Sequence, residues 1–238
     1  EYVDSPPLTV LRQELVSERG MLTCRLLCQG IPDGLAEDRA SAPYAPDAAD
    51  VTTLQDVVKA VLACSLACYA HCAAVPYQWD GADALATGYK PRDGFRVYTN
   101  GSRLAAVRKL LDFTACTMRV EADGKVHFLQ PVTSGETYDH EFSLAAGSHA
   151  FLQKAGRRAL VVPNRIVVRT PEDWDLSYSG AAVDAASYAL MPKTQYQEAA
   201  VDSDAQAALI AEAMLARHRL QSPVAKLTVP LAPQVRVL

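Results

Sequence analysis

The pattern of apolar and polar positions predicts a long helix followed by a strand near the end of the chain. Apolar residues recur at helical spacing across residues 203–221, which indicates one buried stripe. We expect that stripe to contain Leu209, Ala213, Ala216 and Leu220, with Ile210 and Met214 beside it. Ser203 is placed to cap the helix, and Gln206 to complete a capping box. After Ser222-Pro223, apolar and polar residues alternate over 225–229, which predicts a half-buried strand.

Residues 51–132 show the clearest succession of elements. Thr52 or Thr53 is placed to cap a first helix. Its inward face is expected to hold Leu54, Val57, Val58, Val61, Leu62 and Leu66. A strand is predicted next, with alternating positions at Phe95, Val97 and Thr99. Asn100-Gly101 then turns the chain into a second helix capped by Ser102, whose inward face is expected to hold Leu104, Val107, Leu110 and Leu111.

A β-hairpin is predicted at the end of this unit. Asp123-Gly124 is a strong signal for a tight turn, because both residue types tolerate a positive φ. It lies between two alternating runs that place Met118 and Val120 opposite Val126 and Phe128. The order helix, strand, helix, hairpin indicates a compact α/β unit.

The remaining segments give weaker signals. Residues 21–27 fit a strand or a helix, because both periods are present, whereas residues 30–34 have the composition of a turn. Residues 36–50 are rich in Ala, Asp and Pro and indicate a loop or a domain boundary. Residues 133–170 are strand-like, and residues 181–190 fit a short helix.

One stretch, from Val57 to Val75, has the length of a membrane span. Lys59 and His71 interrupt it, and a capping signal precedes it. We therefore expect a buried amphipathic helix and no membrane insertion.

Three groups of residues form a recognisable combination. The first comprises Val201, Ser203, Ala207, Ala211, Leu215, Arg217, Arg219, Leu220, Leu227, Thr228, Val229 and Pro230. The second comprises Phe95, Gly101, Ser102, Val107, Leu110 and Leu111, then Asp123, Gly124, Lys125 and Phe128. The third is the run from Val162 to Val168. Together they resemble the tail hub proteins of bacteriophages, the baseplate-hub and tail-tip family, which tends to carry Ala-Leu where this chain has Val107-Arg108.

The resemblance implies an α+β fold in which β-barrel-like ring-forming domains flank the α/β domain of helix-strand-helix-hairpin order. It divides the chain into a partial N-terminal β-rich ring segment over 1–50, the α/β domain over 51–132, and a second β-rich ring domain over 133–238 that contains the helix 203–221. The family continues beyond the position of Leu238 into a further turn and strands, and the chain opens at Glu1 without an initiator Met. We expect both ends to be cut.

The function implied by the resemblance is that of a structural virion protein, with no enzymatic activity and no cofactor. Such a hub is a homotrimer that forms a ring under the tail tube, assembled in the host cytoplasm and located in the virion tail. Its partners are the tail tube or distal tail protein and a spike, fibre or tape-measure protein. During genome ejection, DNA passes through its lumen without sequence-specific binding. On this hypothesis, the segment from Arg217 to Leu231 contributes to ring packing, and Arg165 and Arg169 line the lumen.

Composition indicates a folded protein without a broad basic surface. Half of the 238 residues are hydrophobic, the formal net charge is −4, and the pI is near 5.7. These values argue against nucleic-acid binding over a large face. A local basic stretch at Arg157, Arg158, Arg165 and Arg169 fits either a DNA channel or a surface paired with acidic neighbours.

Five of the six cysteines fall into two runs at a spacing of four residues: Cys24 and Cys28, then Cys64, Cys68 and Cys72. This spacing suits free thiols in a reducing cytosol better than disulfides. On a helix, the second run would form one stripe with His71 adjacent, and two of its thiols with Cys116 or His127 would make a metal site. A thiol-metal binding domain is therefore an alternative function. We favour core packing, because structural zinc sites usually use shorter spacings.

The sequence contains no catalytic motif. The run from Tyr138 to Glu141 has acid and base types, but a strand points them to opposite faces. Ser148, His149 and Asp184 are the residue types of a catalytic triad, but a chain of this length contains such a set by chance. A cell-wall hydrolase carried on a tail is the enzymatic alternative.

The aromatic loop over residues 76–93 has two open interpretations. Tyr77, Trp79, Asp80 and Tyr89 fit a contact with a neighbouring tail protein or a glycan, since aromatic residues anchor interfaces. They fit equally a loop that packs over its own domain.

Overall fold

The computed structural model describes residues 5–47, 49–81, 83–131, 153–158, 160–221 and 223–228. The helices are α1 (Ile31–Glu37), α2 (Leu54–Leu62), α3 (Ala84–Gly88), α4 (Arg103–Leu111), α5 (Ala185–Leu190) and α6 (Asp204–Gln221). The strands are β1 (Leu8–Glu18), β2 (Met21–Gly30), β3 (Tyr77–Trp79), β4 (Thr117–Val120), β5 (Val126–Leu129), β6 (Gln153–Arg158), β7 (Arg165–Arg169), β8 (Ser179–Val183), β9 (Thr194–Glu198) and β10 (Pro223–Thr228). The mixed α+β class is confirmed.

The strands form four small sheets. Two are antiparallel pairs, β1 with β2 and β10 with β6. The other two have three strands each, in the orders β3-β5-β4 and β8-β7-β9, and each contains one parallel and one antiparallel pair. None of the sheets closes into a barrel within the described residues, so the structure gives the predicted barrel-like ring domains no support.

Helix α2 begins where the sequence predicts, but it ends well before the predicted end at Val75. The Thr53 hydroxyl accepts a hydrogen bond from the Asp56 N–H at 3.2 Å, which confirms Thr53 as the cap. The helix stops at Leu62, and Cys64 adopts a left-handed backbone with φ 55°. The expectation of one helix extending to Val75 is therefore wrong. In the described part of the chain, no helix has both the length and the apolar character needed to cross a membrane.

A buried arginine explains where α2 ends. The Arg103 guanidinium donates to the carbonyl oxygens of Val61 at 3.0 Å, Leu62 at 2.6 Å and Ala73 at 2.8 Å. It also donates to the Asp38 carboxylate at 2.6 Å. The last carbonyls of a helix have no partner within the helix, and here a cation from α4 satisfies two of them.

The rest of the α/β unit follows its local signals closely. Ser102 caps α4 through the Ala105 N–H, and the predicted inward residues of that helix are buried. The hairpin across Asp123-Gly124 has the predicted register, with Met118 opposite Phe128 and Gly124 at φ 76°. The predicted strand at 95–99 is wrong as an element: Phe95 and Val97 are buried, but only Val97 pairs, through a bridge to Tyr44. Turns on both sides leave that segment too short for a ladder.

Helix α6 has the predicted cap and a different buried face. Ser203 accepts from the Gln206 N–H at 3.2 Å, and the Gln206 side chain accepts from the Asp202 N–H at 2.9 Å. The buried face is formed by Ala207, Ile210, Ala211, Ala213, Met214 and Leu215. Ala213, Ile210 and Met214 are buried as predicted, whereas Leu209 is 48 % exposed, so its predicted place in the buried stripe is wrong.

Tertiary packing sets this rotation of α6. The helix lies across β7 and β8, and it approaches β8 most closely at Gly180. A Cβ at Gly180 would lie 2.2 Å from the backbone nitrogen of Ala208. The close approach requires glycine in the strand and leaves Leu209 outside the contact.

Other segments correct or complete the sequence-based assignments. Residues 21–27 belong to strand β2. The turn predicted at 30–34 is wrong, because Gly30 ends β2 and residues 31–34 begin helix α1. Residues 181–190 are divided between β8 and α5. The predicted strand at 225–229 is present as β10 up to Thr228, whereas the strand-like residues 133–152 lie outside the described residues.

Candidate functional site

The longest strands in the described structure form an exposed hairpin. β1 and β2 pair from Leu8 opposite Gly30 to Glu18 opposite Met21. The two turn residues between them, Arg19 and Gly20, both have a positive φ, as a type I′ hairpin turn requires. Nearly all residues of both strands are exposed.

The register separates apolar from charged side chains. Directly opposed residues share a face of the ribbon, and Leu15 lies opposite Cys24, with Ser17 opposite Leu22 and Gln13 opposite Leu26. The opposite face carries all the charged residues of the two strands, Arg12, Glu14, Glu18 and Arg25, together with the apolar residues Val16, Met21 and Leu27. We call the first side the apolar face.

A β-bulge extends the apolar face to the base of the hairpin. The register shifts between Val10 and Arg12, which leaves Val10 opposite Cys28 and Leu8 opposite Gly30. Without the extra residue, alternation would place Val10 on the same side as Arg12. The large side chains of the apolar face are between 52 % and 71 % exposed: Leu8, Val10, Leu15, Leu22 and Leu26.

A groove continues the apolar face beyond the hairpin. It has a volume of about 350 Å³ and is lined by Leu8, Gly30, Ile31, Leu35 and Val75, among others. Asp38 and Arg103, the buried pair that ends α2, also line it. The apolar face and the groove form one surface, because Leu8 belongs to both.

A histidine held by two carboxylates forms a second polar cluster. His127 Nδ1 lies 2.7 Å from Asp80 Oδ2, and Nε2 lies 3.2 Å from both Asp123 oxygens. Burial lowers the pKa of His127, but its hydrogen bonds to Asp80 and Asp123 outweigh burial and raise the pKa overall. The arrangement favours an imidazolium that joins β5 to both carboxylates.

The predicted thiol stripe is absent, because the helix that would carry it ends at Leu62. Cys68 is buried in a short 3₁₀ turn, and the Cys64 thiol donates to the Ala73 carbonyl at 3.2 Å. The Cys116 thiol donates to Asp83 at 3.1 Å, and burial raises its pKa to about 12. Among the described residues, no group of three or more potential ligands could hold a metal ion.

The aromatic loop packs over its own domain. Tyr89 is fully buried and lies 5.1 Å from the ring of Phe113. Trp79 stacks on Phe128 with ring centroids 4.6 Å apart, and Asp80 binds His127. Burial excludes Tyr89 as an anchor for a partner, and the half-buried Trp79 packs against its own domain.

The arginines predicted for the lumen lie together on one face of β7. Arg165 and Arg169 are exposed, while Ile166 and Val168 between them point into the core. Arg169 pairs with Glu172 at 3.3 Å and with Glu198 at 3.5 Å. Its charge is therefore balanced within the chain. The side chains of Arg157 and Arg158 lie outside the described residues.

Arg217, predicted for ring packing, makes several contacts within the chain. It donates to the carbonyl oxygens of Leu111 and Cys116 and pairs with Asp112 at 3.3 Å. It thus joins α6 to the end of α4. Residues 229–231, the end of the predicted packing segment, lie outside the described residues.

Of Ser148, His149 and Asp184, the structure describes only Asp184. Asp184 caps α5 through the Ser187 N–H and pairs with Arg219 at 2.8 Å. Its proposed partners Ser148 and His149, like the run from Tyr138 to Glu141, lie outside the described residues.

Sequence reasoning missed the exposed hairpin and the buried Arg103. A signal for the hairpin was present, because Arg19-Gly20 separates two apolar-rich runs. The bulge at Leu11 breaks the alternation of the first run, which hides its strand period.

No protein-family model matches the chain, and no curated protein matches it either. The fold is nevertheless that of solved tail proteins. The 43 kDa tail protein of prophage MuSo2 from Shewanella oneidensis is 9 % identical, with a TM-score of 0.53, over 92 % of this chain and 61 % of that one. A tail protein from Neisseria meningitidis MC58 is 13 % identical, with a TM-score of 0.58, over 94 % of this chain and 64 % of that one. The chain thus spans less than two thirds of either protein.

Proposed function

We propose that the protein is a structural component of a phage tail, of the hub or baseplate-hub type, without enzymatic activity. The observation that carries this proposal is the fold, which corresponds to solved tail proteins over 92 % and 94 % of the chain. The hub-like residues Ser102, Gly124 and Ser203 support it, because each begins or turns an element at the expected place. The protein would act by shape, as part of the virion tail assembled in the host cytoplasm.

The proposed hub is a homotrimeric ring under the tail tube that links it to a spike, fibre or tape-measure protein. The α/β domain over 51–132 would be flanked by ring domains over 1–50 and 133–238. The two-stranded sheets β1–β2 and β10–β6 belong to those flanking segments. Two-stranded sheets are marginally stable alone, which supports their completion in an assembly.

Arg165 and Arg169 would face a lumen through which DNA passes. A lumen that lets a polyanion move must not bind it tightly, because each neutralised phosphate adds affinity. The pairing of Arg169 with Glu172 and Glu198 fits that requirement. Neither the hydrolase nor the thiol-metal alternative has a supporting arrangement among the described residues.

The test is the mass and shape of the purified chain. One chain has a mass of 25.7 kDa, and light scattering should give three times that mass. Electron microscopy should show rings. Co-sedimentation with the tail tube protein of the same phage should place the ring on tube ends. A monomer that binds no tail component, or that clears cell-wall substrate in a zymogram, would contradict the proposal.

A further inference from the structure

We propose that a second copy of the chain covers the apolar face of the β1–β2 hairpin. This inference rests on the proposed function and deepens it by naming the surface that holds the copies together. The face contains Leu8, Val10, Leu15, Leu22 and Leu26, none less than half exposed, and no charged residue.

The composition of the apolar face fits a permanent interface between copies. Residues 8–30 contain no Phe, Trp or Tyr, although aromatic residues and Arg anchor most transient interfaces. Apart from Gln13, the side chains on the apolar face are aliphatic, small or thiol, as in a domain core. Obligate interfaces between copies resemble such a core divided in two.

The charges on the opposite face argue against a membrane or a nucleic acid as the occupant. Arg12 and Arg25 are balanced by Glu14 and Glu18, and Glu14 lies directly opposite Arg25 across the ribbon. Surface binding to anionic lipid or to phosphates requires an excess of Lys and Arg, and interfacial anchoring uses Trp. With Arg19 in its turn, the hairpin carries three arginines against two glutamates, an excess of only one positive charge, and it contains no Trp.

The size of the surface fits an interface between subunits. The five large side chains, each more than half exposed, adjoin one another on one face of the ribbon, and an exposed apolar patch rimmed by polar residues marks an interaction site. The adjoining groove, which begins at Leu8, extends this area toward the ~800 Å² per partner of a standard interface. Amphipathic ribbons pack with their apolar faces about 10 Å apart. In the proposed trimer, each hairpin would turn its apolar face to a neighbouring copy, which leaves the lumen on the axis open, and its charged face to solvent.

Two adjacent residues provide a matched test. Leu22 on the apolar face is 71 % exposed, and Met21 on the charged face is 68 % exposed. The variants L22E and M21E therefore add the same charge at the same place along the hairpin. Circular dichroism verifies that both fold, and light scattering over a range of concentrations gives their masses.

We expect wild type and M21E to remain oligomeric, and L22E to fall to the mass of one chain. Alkylation of Cys24, which lies on the apolar face, should be slow in wild type and at least tenfold faster in folded L22E. An L22E protein that keeps the wild-type mass and slow alkylation would overturn the inference while leaving the tail function standing. A wild-type chain that is monomeric at all concentrations also overturns it, and tail tube binding then decides the function separately. Binding of the chain to anionic vesicles, lost in L22E, would assign the face to a membrane instead.

Discussion

The guanidinium of Arg103 donates to the carboxylate of Asp38 at 2.6 Å, although 65 positions separate the two residues. Arg103 is fully buried, and its other N–H groups bind the carbonyl oxygens of Val61, Leu62 and Ala73. One side chain thus joins the end of α1, the end of α2 and the start of α4. We expect this pair to be the main polar determinant of stability in the α/β unit.

Replacing Arg103 should destabilise the chain strongly. R103M removes the cation and leaves the buried carbonyl oxygens of Val61 and Leu62 without their donor, together with the partly exposed Ala73 carbonyl and Asp38 carboxylate. Breaking a buried ion pair from one side costs about 3–5 kcal/mol. Urea unfolding followed by circular dichroism measures the loss. As a control, R169M should cost about 1 kcal/mol or less, because Arg169 pairs with Glu172 and Glu198 at the surface.

The His127 cluster predicts a stability that falls as the pH rises. Its pKa in the folded chain is raised above the unfolded value of about 6.5 by Asp80 and Asp123, despite the opposing effect of burial. Arg119 and Lys125, which lie on either side of His127, add positive charge to the same face. The stabilisation is complete below the unfolded pKa and is lost as the pH passes the folded pKa. Unfolding free energies between pH 5.5 and pH 9 test this sign.

The control for this pH dependence is H127Q, which keeps a donor but cannot titrate. Its unfolding free energy should no longer decline through that range. His218 contributes the opposite sign, because burial and then Arg217 lower its pKa, so its contribution is lost as the pH falls. An NMR titration that finds His127 below pH 6.5 would refute the prediction.

The contact between Gly180 and α6 predicts that one methyl group added at residue 180 strongly lowers the stability of the fold. In G180A, the new Cβ would lie 2.2 Å from the Ala208 nitrogen, so helix and sheet must separate. Overpacking of this kind costs about 1–3 kcal/mol or more. The control G34A adds a Cβ that meets nothing within 4 Å on helix α1, and it should stabilise by about 0.5–1 kcal/mol. Thermal unfolding of both variants provides the comparison, and equal effects would contradict it.

Arg217 should couple α6 to the α/β unit. R217M removes donors to the carbonyl oxygens of Leu111 and Cys116 and the pair with Asp112, so it should cost about 1.5–3 kcal/mol. Hydrogen exchange should rise at the end of α4 and along α6 together. R219M, which changes a more exposed arginine of the same helix, should leave exchange at α4 unchanged.

Helix caps and tight turns can be predicted from the amino-acid sequence, because the residues that interact in them lie close together along the chain. Thr53, Ser102 and Ser203 each cap a helix by accepting from an N–H three residues later. Asp123-Gly124 determines a hairpin register within a few residues. These features, the α+β class and the likeness to tail hub residues follow from short-range patterns that need no knowledge of the rest of the fold.

Only the tertiary structure decides the features that depend on distant partners. Helix α2 ends at Leu62 where Arg103 binds its carbonyl oxygens, and this separates the cysteines from any common helix. Helix α6 rotates Leu209 outward because it packs on Gly180. One bulged residue in β1 aligns the apolar face of the hairpin. Each of these outcomes is set by which surfaces and polar groups meet on folding, since burial and pairing energies depend on contacts that sequence spacing does not specify.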